Sequence, residues 1–491
     1  MGEKKKVLKN SMVYIFSNFL IRAFNFFLLP LYTTYLTTED YGTTNLIKNF
    51  TAVMSITCVF SLYAAVARFY IIYKDDKEKV KRFFGTLITF TFLSGICFIV
   101  IVFLGKPVFM KYIFKGLKFM PTVIIAVIGV VFTSLYSMYQ YILKGTEQAK
   151  KSAITSIFYF FIMLFLNITF VVVFKLGANG VILATLITNI ICSIYMIISL
   201  LKENLIILGI DKEILKTTLK YSIPLMPHDL STTITSLFSS IFINSSYNLA
   251  SLGLYSLASQ FGEITDTVQS SVNTAFQPWF FTQMDKKKKD YKKNINELTS
   301  LLLWIYSMFF LGLALFSQEI IILFLNDNYI PAWRLIPLIV ISYSIKSIYY
   351  FYVNILFFHR SASKYIFIST LSSSIFNVIL SAILIPEYGA IGSVAADIIS
   401  MVLRVGIIIY ISNKFDNIGY KLTKFLKVIF FNVMFIFIGL FFSYTKYSTS
   451  INIANLMYKI IIFIMFGIII LGSNRKMIKF ILKRKKKHLR V

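Results

Sequence analysis

The sequence predicts an all-α protein that crosses a membrane fourteen times, and three observations support this class. The chain of 491 residues is 57% hydrophobic and only 14% charged, which is more apolar than a soluble chain of this length can bury. Its apolar residues form runs of about 20 residues, the length that a helix needs to cross a bilayer. Lys and Arg residues concentrate in every second gap between these runs, as expected of cytoplasmic loops.

The predicted spans are separated by short polar segments that leave no room for a soluble catalytic domain. The longest gaps, Lys202–Lys220 and Thr282–Glu297, are expected to form cytoplasmic linkers or surface helices. The approximate limits of the spans are 9–30, 43–66, 83–105, 119–143, 152–174, 179–201, 221–243, 251–275, 298–324, 333–356, 364–385, 389–412, 424–443 and 454–472.

The distribution of basic residues predicts the orientation of the chain. With the N-terminus inside, the inner segments hold 38 of the 50 Lys and Arg residues and the outer loops hold six. Both termini are therefore expected in the cytoplasm. The cluster Lys106–Lys118 lies in a predicted outer loop and is the exception. Because the basic residues flank spans and form no stripe on a polar domain, the net charge of +29 does not indicate nucleic-acid binding.

Short sequence matches indicate an internal repeat. The segment Gly177–Gly180 between spans 5 and 6 recurs as Gly389–Gly392 between spans 11 and 12, and Tyr41-Gly42 recurs as Leu252-Gly253 at nearly the same offset. A duplicated unit of six spans starts on the same side each time, so the halves are expected to be parallel repeats. The predicted domains are an N-terminal lobe at 1–205, a C-terminal lobe at 206–415, two further spans within 416–472 and a basic cytoplasmic tail at 473–491.

Polar side chains recur at helical spacing inside several spans, where ionisable groups are costly and usually face a cavity or each other. A cationic wall suits a phosphate or pyrophosphate, and rows of hydroxyl and amide groups suit sugars. In the alternative, the charges pair across helices and only hold the bundle together. The candidate cavity residues are Asn18, Arg22, Asn25, Lys48, Gln260, Glu263 and Lys346, and the candidate ion-coupling residues are Asp229, Glu263 and Asp266.

Two prolines are candidates for a hinge in span 7. Pro224 and Pro227 precede His228 and Asp229, and proline bends a helix and frees its carbonyl groups. The pattern fits either a hinge for alternating access or a static kink. The sequence shows no phosphate-binding loop, nucleophile elbow, zinc motif or cysteine pair. We therefore expect no catalytic residue, no metal and no cofactor.

Three stretches resemble the polysaccharide-biosynthesis (oligosaccharide flippase) family, the Wzx-like branch of the multidrug/oligosaccharidyl-lipid/polysaccharide exporter superfamily. They are Phe27-Leu-Leu-Pro-Leu-Tyr-Thr-Thr-Tyr-Leu-Thr-Thr-Glu-Asp-Tyr-Gly42, Leu252-Gly-Leu-Tyr-Ser-Leu-Ala258 and Asn377-Val-Ile-Leu-Ser-Ala-Ile-Leu-Ile-Pro-Glu-Tyr-Gly-Ala-Ile-Gly392. The resemblance implies two six-helix lobes that move a polyprenyl-pyrophosphate-linked oligosaccharide to the outer leaflet. Related lipid-II flippases carry basic residues in spans 1, 2 and 8. Arg22 and Lys48 match the first two, whereas span 8 carries Glu263.

The first hypothesis is therefore a flippase of the bacterial cytoplasmic membrane, not an enzyme, that serves assembly of O-antigen, capsule, exopolysaccharide or a teichuronic-type polymer. A proton or sodium gradient is the expected energy source. The expected partners are the lipid-linked substrate, membrane lipid, and the polymerase and glycosyltransferases of the same pathway. The second hypothesis is a cation-coupled multidrug exporter of the same superfamily. The third is a membrane polysaccharide polymerase or ligase, which is expected to carry a large outer loop that this sequence lacks.

Overall fold

The computed structural model describes residues 28–287, 289–359 and 361–473, without the side chains of Thr232 and Ser363. These residues form α-helices joined by turns and by short 3₁₀ and π-helical segments, and within these ranges there is no β-strand. The helices are α1 (Leu29–Tyr35), α2 (Thr38–Val59), α3 (Leu62–Tyr73), α4 (Lys77–Leu104), α5 (Lys106–Tyr112), α6 (Ile124–Gly145), α7 (Ala149–Asn167), α8 (Gly177–Lys202), α9 (Lys212–Ser222), α10 (Met226–Ser246), α11 (Leu249–Lys286), α12 (Tyr291–Phe324), α13 (Ile336–Phe358), α14 (Ile366–Phe415), α15 (Leu422–Thr445) and α16 (Ile453–Ser473).

Ten helical segments in the described part of the chain are long and apolar enough to cross a membrane. The all-helical, multi-pass class predicted from the sequence is confirmed, whereas the count of fourteen stays a prediction. Predicted span 1 lies largely outside the described residues. Predicted spans 7 and 8 correspond to α10 and α11, which are not among these ten segments and in which polar residues make up a larger fraction of the helix. Predicted spans 11 and 12 form the single helical segment α14.

Two of the long segments are bent at identifiable residues. Predicted span 2 is two helices, because Phe60 and Ser61 both adopt left-handed backbone conformations, with φ of 51° and 53°, between α2 and α3. Segment α14 turns at Gly389, where φ is 58° and ψ is −136°. That conformation is almost confined to glycine. The turn separates the two predicted spans that α14 contains.

Helix starts support the predicted repeat. Thr38 and Leu249, the first residues of α2 and α11, stand at the same distance before the matching Tyr41-Gly42 and Leu252-Gly253 pairs. Helices α6 and α13 begin at Ile124 and Ile336, and these residues are separated by the same offset as the turn glycines Gly177 and Gly389. The φ angles of those two glycines, 56° and 58°, also agree.

Packing divides the chain into two compact units. Unit 1 contains the described residues of Met1–Ser256 together with Val378–Ser393, and unit 2 contains Leu257–Asn377 and the described residues of Val394–Val491. The predicted lobes follow the repeat, whereas these units follow packing. The lobe boundaries at 205 and 415 therefore stay a prediction.

The core of unit 1 consists mainly of aliphatic side chains, with aromatic pairs packed among and beside them. Phe50 on α2 packs edge-to-face against Phe114 with ring centroids 4.7 Å apart, and Tyr63 on α3 stacks on Tyr141 of α6 at 4.5 Å. The predicted linker after α8 is attached to α4, because the Ile207 amide donates to the Lys81 carbonyl at 3.2 Å. It continues into α9, which begins with Asp211 as its N-cap.

The core of unit 2 joins the C-terminal helices to α12. Phe466 on α16 contacts Trp304 on α12 and Phe435 on α15, with ring centroids 5.8 and 5.2 Å away. The outward surfaces of the long helices carry large apolar side chains, as expected of surfaces that face lipid. Examples are Phe92, Ile96, Val100, Phe103, Ile399, Val402, Tyr410, Ile461, Ile464 and Ile468.

Candidate functional site

The predicted site residues fall into three groups. Asn18, Arg22 and Asn25 lie outside the described residues. Lys48 and Asp229 belong to unit 1. Gln260, Glu263, Asp266 and Lys346 belong to unit 2.

In unit 1, the polar stripes of α2 and α10 contact each other. The side-chain amide of Asn49 donates to Oγ of Ser240 at 2.8 Å and to Oδ1 of Asn45 at 2.9 Å. Lys48, the neighbour of Asn49, is exposed. The stripes predicted to line a cavity therefore connect two helices at this point, as hydrogen-bonding side chains do between membrane helices.

Asp229 lies in the first turn of α10, beside the break between α2 and α3. Oγ of Ser61 donates to Oδ2 of Asp229 at 2.5 Å, and the hydroxyl of Tyr63 also interacts with this carboxylate. Two consecutive left-handed residues cost free energy in non-glycine positions. The carboxylate thus lies at a strained point of the backbone, which sequence patterns did not predict.

Pro224 and Pro227 lie at the junction of α9 and α10. Pro224 is in the short 3₁₀ turn Ile223–Leu225, and Pro227 is the second residue of α10. Proline is well suited to the start of a helix, where its missing N–H breaks no hydrogen bond. Span 7 was predicted to begin at residue 221, so the prolines are placed at its entrance and not in its interior. A hinge at this junction stays a prediction.

In unit 2, Asp266 on α11 and Lys346 on α13 form an ion pair. Nζ of Lys346 lies 2.6 Å from Oδ1 of Asp266, and the two side chains retain 18% and 30% of their exposure. The hydroxyl of Tyr350 donates to the same oxygen at 2.9 Å. The Lys346 ammonium lies 5.3 Å from the ring centre of Tyr343. The sequence singled out both charges, but it assigned them to separate roles.

Further polar contacts continue from this pair along α11 and α13. The Gln269 amide donates to Oγ of Ser347 at 2.7 Å, and the Asn354 amide donates to Oδ1 of Asn273 at 2.8 Å. Towards the start of α11, Glu263 is exposed and Gln260 is half-buried. Part of the polar stripe predicted on span 8 therefore contacts α13, and part of it is accessible to solvent.

Three charged groups in unit 2 are absent from the predicted site. Arg404 on α14 donates through Nε to Oγ of Ser373 at 2.8 Å. Lys459 on α16 is fully buried and lies 2.6 Å from Oε1 of Glu319 on α12. Charges inside apolar spans mark such residues in a sequence, and that signal was available at all three charged positions.

One lysine of the basic cluster in the predicted outer loop, Lys115, has a structural role. Nζ of Lys115 donates to the carbonyl of Ser245 at the end of α10 at 2.7 Å, and the Asn244 amide donates to the Lys115 carbonyl at 2.8 Å. A cation at a helix C-terminus is favourable because the unpaired carbonyl groups carry partial negative charge. The loop therefore holds a lysine for a local contact, which the positive-inside rule does not consider.

Within the described residues, the predicted site brings charged groups together with neutral polar groups. It offers a partly exposed ion pair, a carboxylate that interacts with two hydroxyl groups at a helix break, and many further hydroxyl and amide groups. Among the described residues, no three His, Cys, Asp or Glu side chains converge as a metal site requires.

The fold is shared with solved membrane transporters. The structure titled lipid II flippase MurJ, inward closed conformation, superposes with a TM-score of 0.70 at 16% identity and covers 95% of this chain and 99% of that chain. An inward-facing multidrug resistance MATE family transporter of the MOP superfamily superposes with a TM-score of 0.63 at 13% identity, covering 79% and 93% of the two chains. At these identities the similarity shows the fold alone.

Sequence comparison gives the family. An uncharacterized membrane protein of Haemophilus influenzae is 28% identical over 136 residues, which are 28% of this chain and 33% of that protein. The match thus spans about a third of the length of this curated relative. A sequence model of the polysaccharide biosynthesis protein family matches residues 34–334. Because that match covers more than half of an all-helical, multi-pass membrane protein, the chain belongs to the polysaccharide biosynthesis protein family.

Proposed function

We propose that this protein is a flippase that moves a polyprenyl-pyrophosphate-linked oligosaccharide from the inner to the outer leaflet of the bacterial cytoplasmic membrane. The product would serve assembly of a surface polysaccharide. The observation that carries the proposal is the partly exposed Asp266–Lys346 pair, which continues into hydroxyl and amide groups along α11 and α13. Charged groups within membrane helices are retained mainly where they serve transport. Family membership supports a glycan as the cargo.

The chemistry of the proposed substrate explains why the protein needs both apolar outer faces and polar groups along its helices. A polyprenyl tail is soluble in the bilayer and can stay there beside the apolar outer faces of the helices. The pyrophosphate and sugars are costly to transfer through hydrocarbon, so they need polar partners along the way. Alternating access with both termini in the cytoplasm is the proposed mechanism. A proton or sodium gradient is the proposed energy source, with Asp229, Glu263 or Asp266 as the group that binds the ion.

The direct test uses the full chain in proteoliposomes with a polyprenyl-pyrophosphate-linked oligosaccharide in one leaflet. A lectin that cannot cross the membrane reports the sugar that reaches the outer leaflet. We expect the wild-type chain to raise the rate of appearance above that of empty liposomes. No increase under any imposed proton or sodium gradient contradicts the proposal.

In cells, Arg22→Ala and Glu263→Ala are expected to lower surface polysaccharide in a strain that lacks the native gene. Lys446→Ala is the matched control, because it removes an exposed cation from a segment outside the long helices. Wild-type polysaccharide levels in both variants would show that these residues are not the site. An intact glycan in the deletion strain, together with changed drug susceptibility, would favour the multidrug exporter instead.

A further inference from the structure

The internal repeat relates two neutral residues of unit 1 to two charged residues of unit 2. Ser55 follows the first residue of α2 at the same distance as Asp266 follows the first residue of α11. Ser134 likewise stands at the same position within α6 as Lys346 within α13. Each half of the repeat therefore carries one pair of residues at corresponding positions.

In both halves the two corresponding residues are in contact. Oγ of Ser134 lies 3.1 Å from Oγ of Ser55, and both serines are buried. At the corresponding place in unit 2, Lys346 lies 2.6 Å from Asp266, and both side chains keep part of their exposure. The same helix–helix contact is thus made once by two hydroxyl groups and once by an ion pair.

This comparison shows that the contact itself does not need charge. Two hydroxyl groups suffice to pack α2 against α6, whereas moving a carboxylate and an ammonium out of water carries a desolvation penalty. The charges of unit 2 therefore serve a purpose other than joining the two helices. Their partial exposure leaves them accessible to an ion or a ligand.

We infer that the Lys346 ammonium leaves Asp266 and binds an oxyanion of the substrate head group. Asp266 then takes up a proton or Na⁺ in place of the ammonium. This inference rests on the proposed flippase function and specifies how its substrate and ion are linked. The pair is neutral when it is closed. One anionic group and one monovalent cation enter together, so the charge of the pair and its ligands stays balanced.

The surroundings of the pair suit such an exchange. Tyr350 holds the carboxylate oxygen through its hydroxyl at 2.9 Å. The ring centres of Tyr343 and Tyr350 lie 5.3 and 5.7 Å from the ammonium, where cation–π attraction stabilises it without a carboxylate. Arg404 interacts electrostatically with Asp266 and Tyr343, and also with Tyr349 and Asp397. Glu263 lies one helical turn earlier on α11.

The decisive variant is Asp266→Ser combined with Lys346→Ser, because it recreates the serine pair that unit 1 already contains. We expect the double variant to be produced, to keep a melting temperature close to that of the wild type, and to lose flipping in the proteoliposome assay. Ser55→Ala is the matched control in the corresponding pair and is expected to flip at the wild-type rate. Wild-type flipping by the double-serine variant would overturn the inference.

Binding to the purified full chain tests each half of the exchange separately, with inorganic pyrophosphate and glucuronate as probes. Lys346→Gln is expected to abolish binding of the probe that mimics the natural oxyanion. Asp266→Asn removes the competing carboxylate and is expected to tighten binding by about three- to fivefold, the equivalent of a partly exposed ion pair. If the two substitutions change the binding of pyrophosphate alone, the diphosphate is the group that Lys346 binds. If they change the binding of glucuronate alone, that group is an acidic sugar.

The coupling appears as dependence of binding on the cation. In the wild type, lower pH or added Na⁺ is expected to strengthen probe binding, and Asp266→Asn is expected to remove that dependence. If Lys346→Gln binds both probes as the wild type does, or if the dependence persists in Asp266→Asn, the exchange is refuted. Failure of the wild-type chain to flip any lipid-linked oligosaccharide would instead refute the proposed function, whatever the binding results.

Discussion

Adding one methyl group at Gly42 is expected to push α2 away from the start of α11, and both of these parts belong to unit 1. A Cβ atom at Gly42 on α2 would lie 1.9 Å from the Leu249 carbonyl oxygen of α11, and one at Gly253 would lie 1.9 Å from the Thr38 carbonyl oxygen. Ordinary contact requires about 3.5 Å, so the backbones would have to move apart by roughly 1.5 Å. Both obstacles are backbone atoms that no rotamer change can move.

The expected cost of Gly42→Ala is at the upper end for overpacking, about 3 kcal/mol. For a chain of this size that corresponds to a melting temperature roughly 3 °C lower. The assay is thermal unfolding of the purified protein in detergent, followed by intrinsic tryptophan fluorescence. Gly129→Ala is the control, because Gly129 lies in α6 of the same unit and a Cβ there meets nothing within 4 Å.

The control separates the effect of packing from that of helix propensity. Alanine favours the helix over glycine by about 1 kcal/mol at most, so Gly129→Ala is expected to be neutral or slightly stabilising. The reasoning fails if the melting temperature of Gly42→Ala equals or exceeds that of Gly129→Ala. That result would mean that α2 and α11 do not approach each other through their two glycines.

Three other perturbations have defined outcomes. Lys459→Met leaves the Glu319 carboxylate buried without its cation and should cost about 3–5 kcal/mol in unfolding free energy, whereas Lys459→Met with Glu319→Gln should restore most of it. Asp229→Asn keeps an acceptor for the Ser61 hydroxyl, so we expect an unchanged melting temperature but slower flipping; undiminished flipping would exclude Asp229 from ion coupling. Gly389→Ala forces a side chain into a conformation that strains it by about 1–3 kcal/mol, and a melting temperature equal to the wild type would contradict the turn.

The sequence predicted the features that depend on local composition. Apolar runs located nearly all of the long helices, and the recurrence of glycine pairs located a repeat whose offset agrees with the helix starts. Polar spacing also singled out Asp229, Asp266 and Lys346, since charge in an apolar run is visible without a structure. What these side chains contact was not predictable, because a helical stripe shows which residues share a face but not which helix covers that face.

The sequence by itself determined that this is an all-helical membrane protein with charged groups at particular depths of its spans, since hydrophobic length and charge are properties of single segments. Only the tertiary structure decided that Asp266 meets Lys346, that Ser61 meets Asp229 at a break in a predicted span, and that Gly42 packs against α11. These contacts join residues that are far apart in the chain. They depend on how whole helices pack, because two residues on separate helices become neighbours only after every intervening turn and bend has been formed.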